Sequence, residues 1–173
     1  WTQGDWIPAI ARSRQPPSVG YEALMDMTKA FTITSQAGEN IDSTWSTGVT
    51  FADVNLDGYE DSYVSAVGDY KTLSGKNRLY LNNGDSSFKE VSAEVGLDFK
   101  GFGTQASFFD YDNDGDLDVY LLNHTIHTPR NYGKIDRRQE RDDLSGDRLY
   151  VNKLSDTGVL AFEEVTKEAG IYS

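Results

Sequence analysis

An acidic segment of nine residues occurs twice in this chain, at the same point of a longer internal repeat. The first copy, DVNLDGYED, occupies residues 53–61, and the second, DYDNDGDLD, occupies residues 110–118, which is 57 positions further on (53 to 110). Strand-like runs flank both copies. Two more segments follow the first copy, RLYLN and FKEVS, and two similar segments, RLYVN and FEEVT, follow the second. An earlier copy of the last segment, FTITS, lies at residues 31–35. The repeating unit is therefore predicted to contain four short β-strands.

Gly, Asn and Asp residues separate these strands, as in tight turns between antiparallel strands. Four antiparallel strands per repeat of this period are typical of one blade of a β-propeller. We therefore predict an all-β fold of consecutive four-stranded antiparallel blades, two full blades plus part of a third. Because a propeller needs about 4–8 blades, 173 residues would form an incomplete ring. The predicted regions are an N-terminal segment or remnant of a preceding blade at 1–30, a first blade region at 31–102, a second at 103–173, and a loop inserted in the second at 123–145.

Both acidic segments have the pattern D-x-[DN]-x-D-G-x-x-D, which suits a hard cation. In a tight loop the side chains at positions 1, 3 and 5 converge, Gly at position 6 permits the bend, position 7 offers a carbonyl, and position 9 adds a carboxylate. Ligation by oxygen alone favours Ca²⁺ over zinc or copper, so the sequence predicts two Ca²⁺ sites. The expected ligands of the first site are Asp53, Asn55, Asp57, the Tyr59 carbonyl and Asp61. Those of the second, which is expected to bind more tightly because it has one more carboxylate, are Asp110, Asp112, Asp114, the Asp116 carbonyl and Asp118.

These segments have two other interpretations. They are acidic turns without a metal, or they are helical calcium loops of the EF-hand type. An EF-hand needs Glu at position 12 and flanking helices. Here position 12 is Val64 or Leu121, and the flanking runs are strand-like. The register of both copies with the four-strand repeat favours the calcium interpretation.

The acidic balance of the chain limits the classes of partner. Lys and Arg total 16 against 28 Asp and Glu, so the formal charge is −12 at pH 7, whereas nucleic acid and anionic lipid require a basic surface. The absence of cysteine excludes disulfides, thiolate zinc sites and a cysteine nucleophile. No apolar run approaches the length of a membrane span. Residue 1 is Trp and no signal peptide is visible, so we expect a processed product or a piece of a longer protein.

These segments resemble the FG-GAP/VCBS repeat family, which forms integrin-α-like β-propellers, and are closest to bacterial VCBS-repeat proteins of the ASPIC/UnbV-associated type. The stretches that carry the resemblance are GVTFADVN (48–55), TQASFFDYD (104–112), LLNHTIH (121–127), SGDRLY (145–150) and residues 162–171. The resemblance implies that the acidic loop joins the first two strands of a blade and binds Ca²⁺ through the ligands named above. No ASPIC/UnbV segment is present, so the resemblance extends to the blades alone.

The expected function is that of a non-catalytic, calcium-binding scaffold or interaction module of an exported or cell-surface protein, placed extracellularly, at the cell surface or in the periplasm. Its ligand would be a protein or a glycan, and the inserted loop is the candidate contact surface. The alternative is an accessory propeller of a carbohydrate-active or lipid-active enzyme whose catalytic part lies outside this chain. In both cases the chain is expected to be a segment of a longer propeller, the remainder of which completes the ring. A third hypothesis is a subunit that completes its ring by pairing with other chains of an assembly.

Two further groups of residues have more than one interpretation. His124 and His127, the two histidines of the chain, form an H-x-x-H pattern that suits either loop hydrogen bonds and inter-blade contacts or a transition-metal site. Arg137, Arg138 and Arg141 lie among acids in the inserted loop. There they form either a solvated mixed-charge surface or a clamp for an anionic ligand.

Overall fold

The structure of the protein is a computed structural model that describes residues 45–85, 87–125 and 142–171. These residues form two antiparallel β-sheets and two short helical turns. Within these ranges no helix is long and apolar enough to cross a membrane. The predicted N-terminal segment at 1–30, the FTITS copy and most of the inserted loop lie outside the described residues. The predicted region boundaries therefore stay predictions.

The first sheet consists of strands that alternate in direction and pair in the order β1-β2-β4-β5. Its strands are β1 (Trp45–Ala52), β2 (Asp61–Tyr70), β3 (Leu73–Ser74), β4 (Arg78–Asn82) and β5 (Phe88–Glu90). The sequence does not predict β3, a two-residue strand that pairs with the far end of β2. A helical turn, α1 (Ser92–Val95), follows β5 and ends at Gly96 in the left-handed conformation.

The second sheet repeats this arrangement in the order β6-β7-β8-β9. Its strands are β6 (Gly103–Phe109), β7 (Asp118–Asn123), β8 (Arg148–Asn152) and β9 (Phe162–Glu164). A helical turn, α2 (Leu154–Thr157), lies in the connection between β8 and β9. The predicted all-β fold is confirmed, with consecutive antiparallel sheets and one additional short strand in the first. The two sheets do not close a ring, and their membership of a propeller stays a prediction.

The core lies between the two sheets. Tyr63 of β2 is paired with Leu79 of β4, and Ala106 of β6 is paired with Leu121 of β7. Directly paired residues point to the same side of a sheet, so each pair contributes to one apolar face. The two faces meet in one cluster, whose other buried members are Val54, Val91, Val95, Leu97, Val119, Tyr150 and Phe162. Since burying one large apolar side chain contributes about 1.5–3 kcal/mol, the contact between the sheets stabilises both.

Polar and aromatic contacts fix how the sheets stack. The hydroxyl of Thr50 in β1 donates a hydrogen bond to the carbonyl of Ala106 in β6 (2.8 Å). The ring of Tyr63 meets the ring of Phe108 edge to face, with their centroids 5.9 Å apart. Gly48 permits this close approach, because a Cβ atom at that position would lie 2.5 Å from the main-chain carbonyl oxygen of Thr104. Strands β1 and β2 of the first sheet therefore lie directly against β6 of the second.

Candidate metal centre

Each acidic loop connects the first two strands of its sheet. Ala52 is paired with Asp61 at the base of the first loop, and Phe109 is paired with Asp118 at the base of the second. Strand pairing therefore holds both ends of each loop together. The loops occupy equivalent corners of the two sheets, as the sequence resemblance implies.

Two residues with positive φ bend each loop. The glycines at position 6, Gly58 and Gly115, have φ of 87° and 94°, a conformation that glycine adopts without steric cost. The residues at position 4, Leu56 and Asn113, have φ of 60° and 63°. Asn tolerates this conformation better than Leu does, so the first loop has the more strained backbone. The motif predicts the bend at glycine and gives no signal for the bend at position 4.

In the first loop the side chains at positions 1, 3 and 5 turn inward onto the loop's own amides. The two carboxylate oxygens of Asp53 accept hydrogen bonds from the amides of Asp57 (3.1 Å) and Gly58 (2.9 Å). Asn55 Oδ1 accepts from the Asp57 amide (3.2 Å), and Asp57 Oδ1 accepts from the Tyr59 amide (2.9 Å). The structure therefore gathers these three predicted ligands around the loop centre.

The second loop repeats this pattern at positions 1 and 5, where both side chains are carboxylates. Asp110 accepts from the amides of Asp114 (3.2 Å) and Gly115 (3.3 Å), and Asp114 Oδ1 accepts from the Asp116 amide (3.1 Å). The other oxygen of Asp114, Oδ2, is buried and has no hydrogen-bond partner. A buried carboxylate oxygen without a donor is costly, and a bound cation would satisfy it.

The aspartates at position 9 have a role that the sequence analysis missed. Asp61 accepts from the amides of Val54 (3.0 Å) and Asn82 (2.9 Å), and so connects the start of its loop to the end of β4. Asp118 accepts in the same way from the amides of Tyr111 (2.7 Å) and Asn152 (2.8 Å). Both carboxylates are buried. The only sequence signal for this clamp is an Asn at the end of the third strand in both copies.

Burial also raises the pKa of both of these aspartates. Desolvation raises the pKa of Asp61 to about 6, although its two backbone hydrogen bonds oppose the shift, and the nearby charges of Asp57 and Asp53 raise it further. Desolvation likewise raises the pKa of Asp118, with a further contribution from the charge of Asp112. In each loop, several carboxylates therefore disfavour one another's ionised form, a repulsion that a divalent cation would relieve.

The second loop brings three carboxylates within reach of a single ion. One oxygen from each of Asp110, Asp112 and Asp118 lies within 4.8 Å of the other two. Among the residues that the structure describes, the acids of the first loop form no such group. The predicted ligands Asp53, Asp57 and Asp61 are thus farther from a common centre in the structure, although they share the loop.

The residue at position 7 of each loop is predicted to contribute its main-chain carbonyl to the metal. In the structure, the side chain of this residue contacts a neighbouring segment of the chain. The Tyr59 ring lies over Gly84 in the β4–β5 turn, where a Cβ atom would be 2.6 Å from the ring. Asp116 is buried and accepts a hydrogen bond from the Ser155 amide in α2 (2.8 Å). Its other oxygen, Oδ1, is buried without a partner. Ligation by the two carbonyls stays a prediction.

Of the remaining candidate residues, His124 alone lies within the described part of the chain. His124 is exposed, and its main-chain amide donates to the carbonyl of Phe102 (2.8 Å). His127, Arg137, Arg138 and Arg141 lie outside the described residues. The hypotheses of a transition-metal site and of an anion clamp therefore stay untested.

Comparison with known proteins supports one part of the resemblance. A family model described as an FG-GAP-like repeat matches residues 63–121, from β2 through the second acidic loop to β7. No curated protein sequence matches the chain significantly. The repeat type is thus supported over this range, and the bacterial VCBS subtype stays an expectation.

Proposed function

We propose that this chain is a calcium-binding interaction module of the β-propeller type, in which the metal fixes one corner of each sheet. The observation that carries this proposal is the group formed by Asp110, Asp112 and Asp118 at the base of the second loop. The FG-GAP-like repeat over residues 63–121 supports a module of this type. The first loop is proposed to bind Ca²⁺ more weakly, because Asn55 replaces one of the carboxylates.

The donor set fits Ca²⁺ better than other common metals. Ca²⁺ accepts six to eight oxygen ligands in flexible geometry at about 2.3–2.6 Å, whereas Mg²⁺ requires a near-ideal octahedron and retains water. Asp110 and Asp112 are exposed while Asp118 is buried, so an ion there would be partly enclosed and could keep water ligands. Asp110 and Asp118 already accept hydrogen bonds from loop amides, and a carboxylate oxygen has a second lone pair for a metal.

A bound cation would act on the fold through the aspartates at position 9, Asp61 and Asp118. Asp118 joins the loop to the end of β8, so neutralising its neighbours would stabilise the whole corner of the second sheet. Loops positioned by such a rigid framework commonly carry recognition surfaces. We propose a non-catalytic role on this basis, with a protein or glycan ligand, in an exported or cell-surface setting where calcium is abundant.

Thermal unfolding with calcium and with a chelator tests the proposal. A ligand that binds the folded state alone raises the melting temperature as its concentration exceeds its dissociation constant. We expect millimolar Ca²⁺ to raise the melting temperature of the wild-type chain and Mg²⁺ to raise it less. Asp112→Asn should remove most of this shift. The matched control is Asp156→Asn, which removes the same charge from an exposed residue of α2. Equal melting temperatures with calcium and with chelator would refute the metal proposal.

A further inference from the structure

One buried side chain, that of Asn152, contacts the main chain of both acidic loops. Its amide nitrogen donates to the carbonyl of Val54 in the first loop (3.0 Å) and to the carbonyl of Leu117 in the second (3.3 Å). Its oxygen accepts from the amide of Leu154 (3.1 Å), which fixes the orientation of the group. A side-chain amide has two hydrogens to donate, so the two loops use its donor capacity in full.

In the first loop, the bond from Asn152 holds the main chain between two predicted ligands. Val54 is the residue at position 2, with Asp53 before it and Asn55 after it. Val54 is 1% exposed, and its amide donates to Asp61 Oδ2 (3.0 Å). A change in the main chain at Asp53 or Asn55 would therefore displace the carbonyl that Asn152 contacts.

In the second loop, Asn152 makes two contacts beside the group of three carboxylates. Leu117 directly precedes Asp118, whose buried carboxylate belongs to that group. The main-chain amide of Asn152 donates to Asp118 Oδ1 (2.8 Å). Hydrogen bonds therefore run without a break from Asp61 to Asp118, through position 2 of the first loop and Asn152.

We propose that Asn152 is a positioning residue for both metal sites, and that calcium binding at the two loops is positively coupled through its side chain. This inference rests on the proposed function, because it requires both loops to bind Ca²⁺. An ion that orders one loop fixes one of the two carbonyls, and with it the Asn152 amide and the carbonyl of the other loop. A displaced carbonyl would leave a buried amide hydrogen without an acceptor, which is costly. The second ion therefore binds to a loop that is already partly ordered.

The group of three carboxylates indicates the order of binding. Asp110, Asp112 and Asp118 lie close together, whereas in the described part of the chain the acids of the first loop form no such group. The second loop should therefore fill first and raise the calcium affinity of the first loop. Repulsion between the two cations opposes this effect, but salt screens it beyond about 8 Å at physiological ionic strength. We therefore expect positive coupling under those conditions.

Asn82 is the counterpart of Asn152 and provides a matched control. It lies at the end of β4, and its main-chain amide donates to Asp61 Oδ1 (2.9 Å). Its side-chain nitrogen donates to the carbonyl of Glu60 in the first loop (3.2 Å), and among the described residues it makes no bond to the second loop. Its removal should therefore affect the first loop and leave the coupling intact.

Calcium titrations followed by NMR test the inference, because the amides of Gly58 and Gly115 report on the two loops separately. Asp112→Lys blocks the second loop with an ammonium group, and Asp57→Lys blocks the first in the same way. Both residues are exposed, so both variants should fold. We expect Asp112→Lys to lower the calcium affinity of the first loop about fivefold or more, and Asp57→Lys to lower that of the second by the same factor, because coupling between two sites is reciprocal.

The same titrations in an Asn152→Ala background assign the coupling to this side chain. There, each loop should bind calcium equally well whether or not the other is blocked, whereas an Asn82→Ala background should retain the full factor. If circular dichroism shows that Asn152→Ala is unfolded, the side-chain amide resonance of Asn152 decides instead. It should move when calcium fills either loop in the two blocked variants, and a resonance that responds to one loop alone overturns the proposal.

The outcomes distinguish a failure of the coupling from a failure of the proposed function. Two loops that bind calcium independently, or calcium binding at one loop alone, overturn the coupling and leave a calcium-binding module. Coupling that persists unchanged in Asn152→Ala overturns the role of Asn152. Glycine amides that do not respond to calcium at either loop overturn both proposals.

Discussion

Asn152, at the end of the third strand of the second sheet, donates a side-chain hydrogen bond to the main-chain carbonyl of Val54 in the first acidic loop (3.0 Å), although 98 positions separate the two residues. The same amide donates to the carbonyl of Leu117 in the second loop (3.3 Å). Asn152 is fully buried. A single side chain thus connects both candidate calcium loops, so the order of one loop is linked to the stacking of the sheets.

Asn152→Ala should destabilise the protein strongly, because it removes both bonds and leaves buried carbonyls without donors. An unsatisfied buried group costs about 1–3 kcal/mol, so we expect a loss of about 2–4 kcal/mol in the free energy of unfolding, measured by urea denaturation. Asn82→Ala is the matched control, since Asn82 makes one such bond and is half-exposed. Equal losses at both positions would contradict the linking role of Asn152.

Gly48→Ala should separate the two sheets. The new methyl group would lie 2.5 Å from the Thr104 carbonyl oxygen, and a main-chain atom in a paired strand cannot move aside easily. Overpacking of this kind costs about 1–3 kcal/mol. Ser107→Ala, at an exposed residue of β6, should stay within about 0.5 kcal/mol of the wild type. A Gly48→Ala variant as stable as the wild type would show that the strands do not approach so closely.

The stability of the metal-free protein should rise as the pH falls from 7 toward 5. Burial raises the pKa of Asp61 to about 6 from an ordinary value of 3.8, so between these values the folded chain binds a proton more tightly than the unfolded chain. The cost of the buried charge is present above pH 6 and is relieved below it, by up to about 3 kcal/mol for a shift of this size. Asp118, whose pKa is also raised by burial, acts in the same direction.

Calcium should reverse this pH dependence. A bound cation holds the carboxylates ionised, and protons compete with it, so the calcium-loaded protein should lose stability over the same range. Urea denaturation at several pH values, with and without calcium, measures both slopes. Parallel slopes in the two conditions would contradict a role for these carboxylates in binding the metal.

The two loops should differ in affinity. The second offers four side-chain carboxylates and the first offers three with one amide, and ligand charge raises calcium affinity. Calorimetric titration should resolve a tighter and a weaker site, with Asp114→Asn weakening the tighter site and Asp57→Asn the weaker. Loss of the tighter site in Asp57→Asn would reverse this assignment.

The strands could be predicted from the sequence because the repeat aligns two copies of each with their turns. The run QASFF corresponds to β6, and RLYLN and RLYVN coincide with β4 and β8. The extension of β2 and its pairing with β3 could not be predicted, because the segment has no counterpart in the second repeat. The helical turns α1 and α2 are four residues long, too short for a helical period to appear.

The candidate site was predictable in its residue types but not in its connections. The spacing of Asp53 and Asp110 within the repeat indicates the loops and their inward side chains. The second contacts of Asp61 and Asp118, to amides at the ends of β4 and β8, depend on how strands pair across the sheet. The bond from Asn152 to Val54 depends on how the sheets stack, which no local pattern reveals.

A crystal structure of the chain grown in millimolar calcium tests the central claim most directly. We predict an ion at the base of the second loop, with oxygens of Asp110, Asp112 and Asp118 at about 2.3–2.6 Å and an anomalous signal that identifies calcium. A map in which this corner holds no ion, with the three carboxylates turned out toward solvent, would contradict the account.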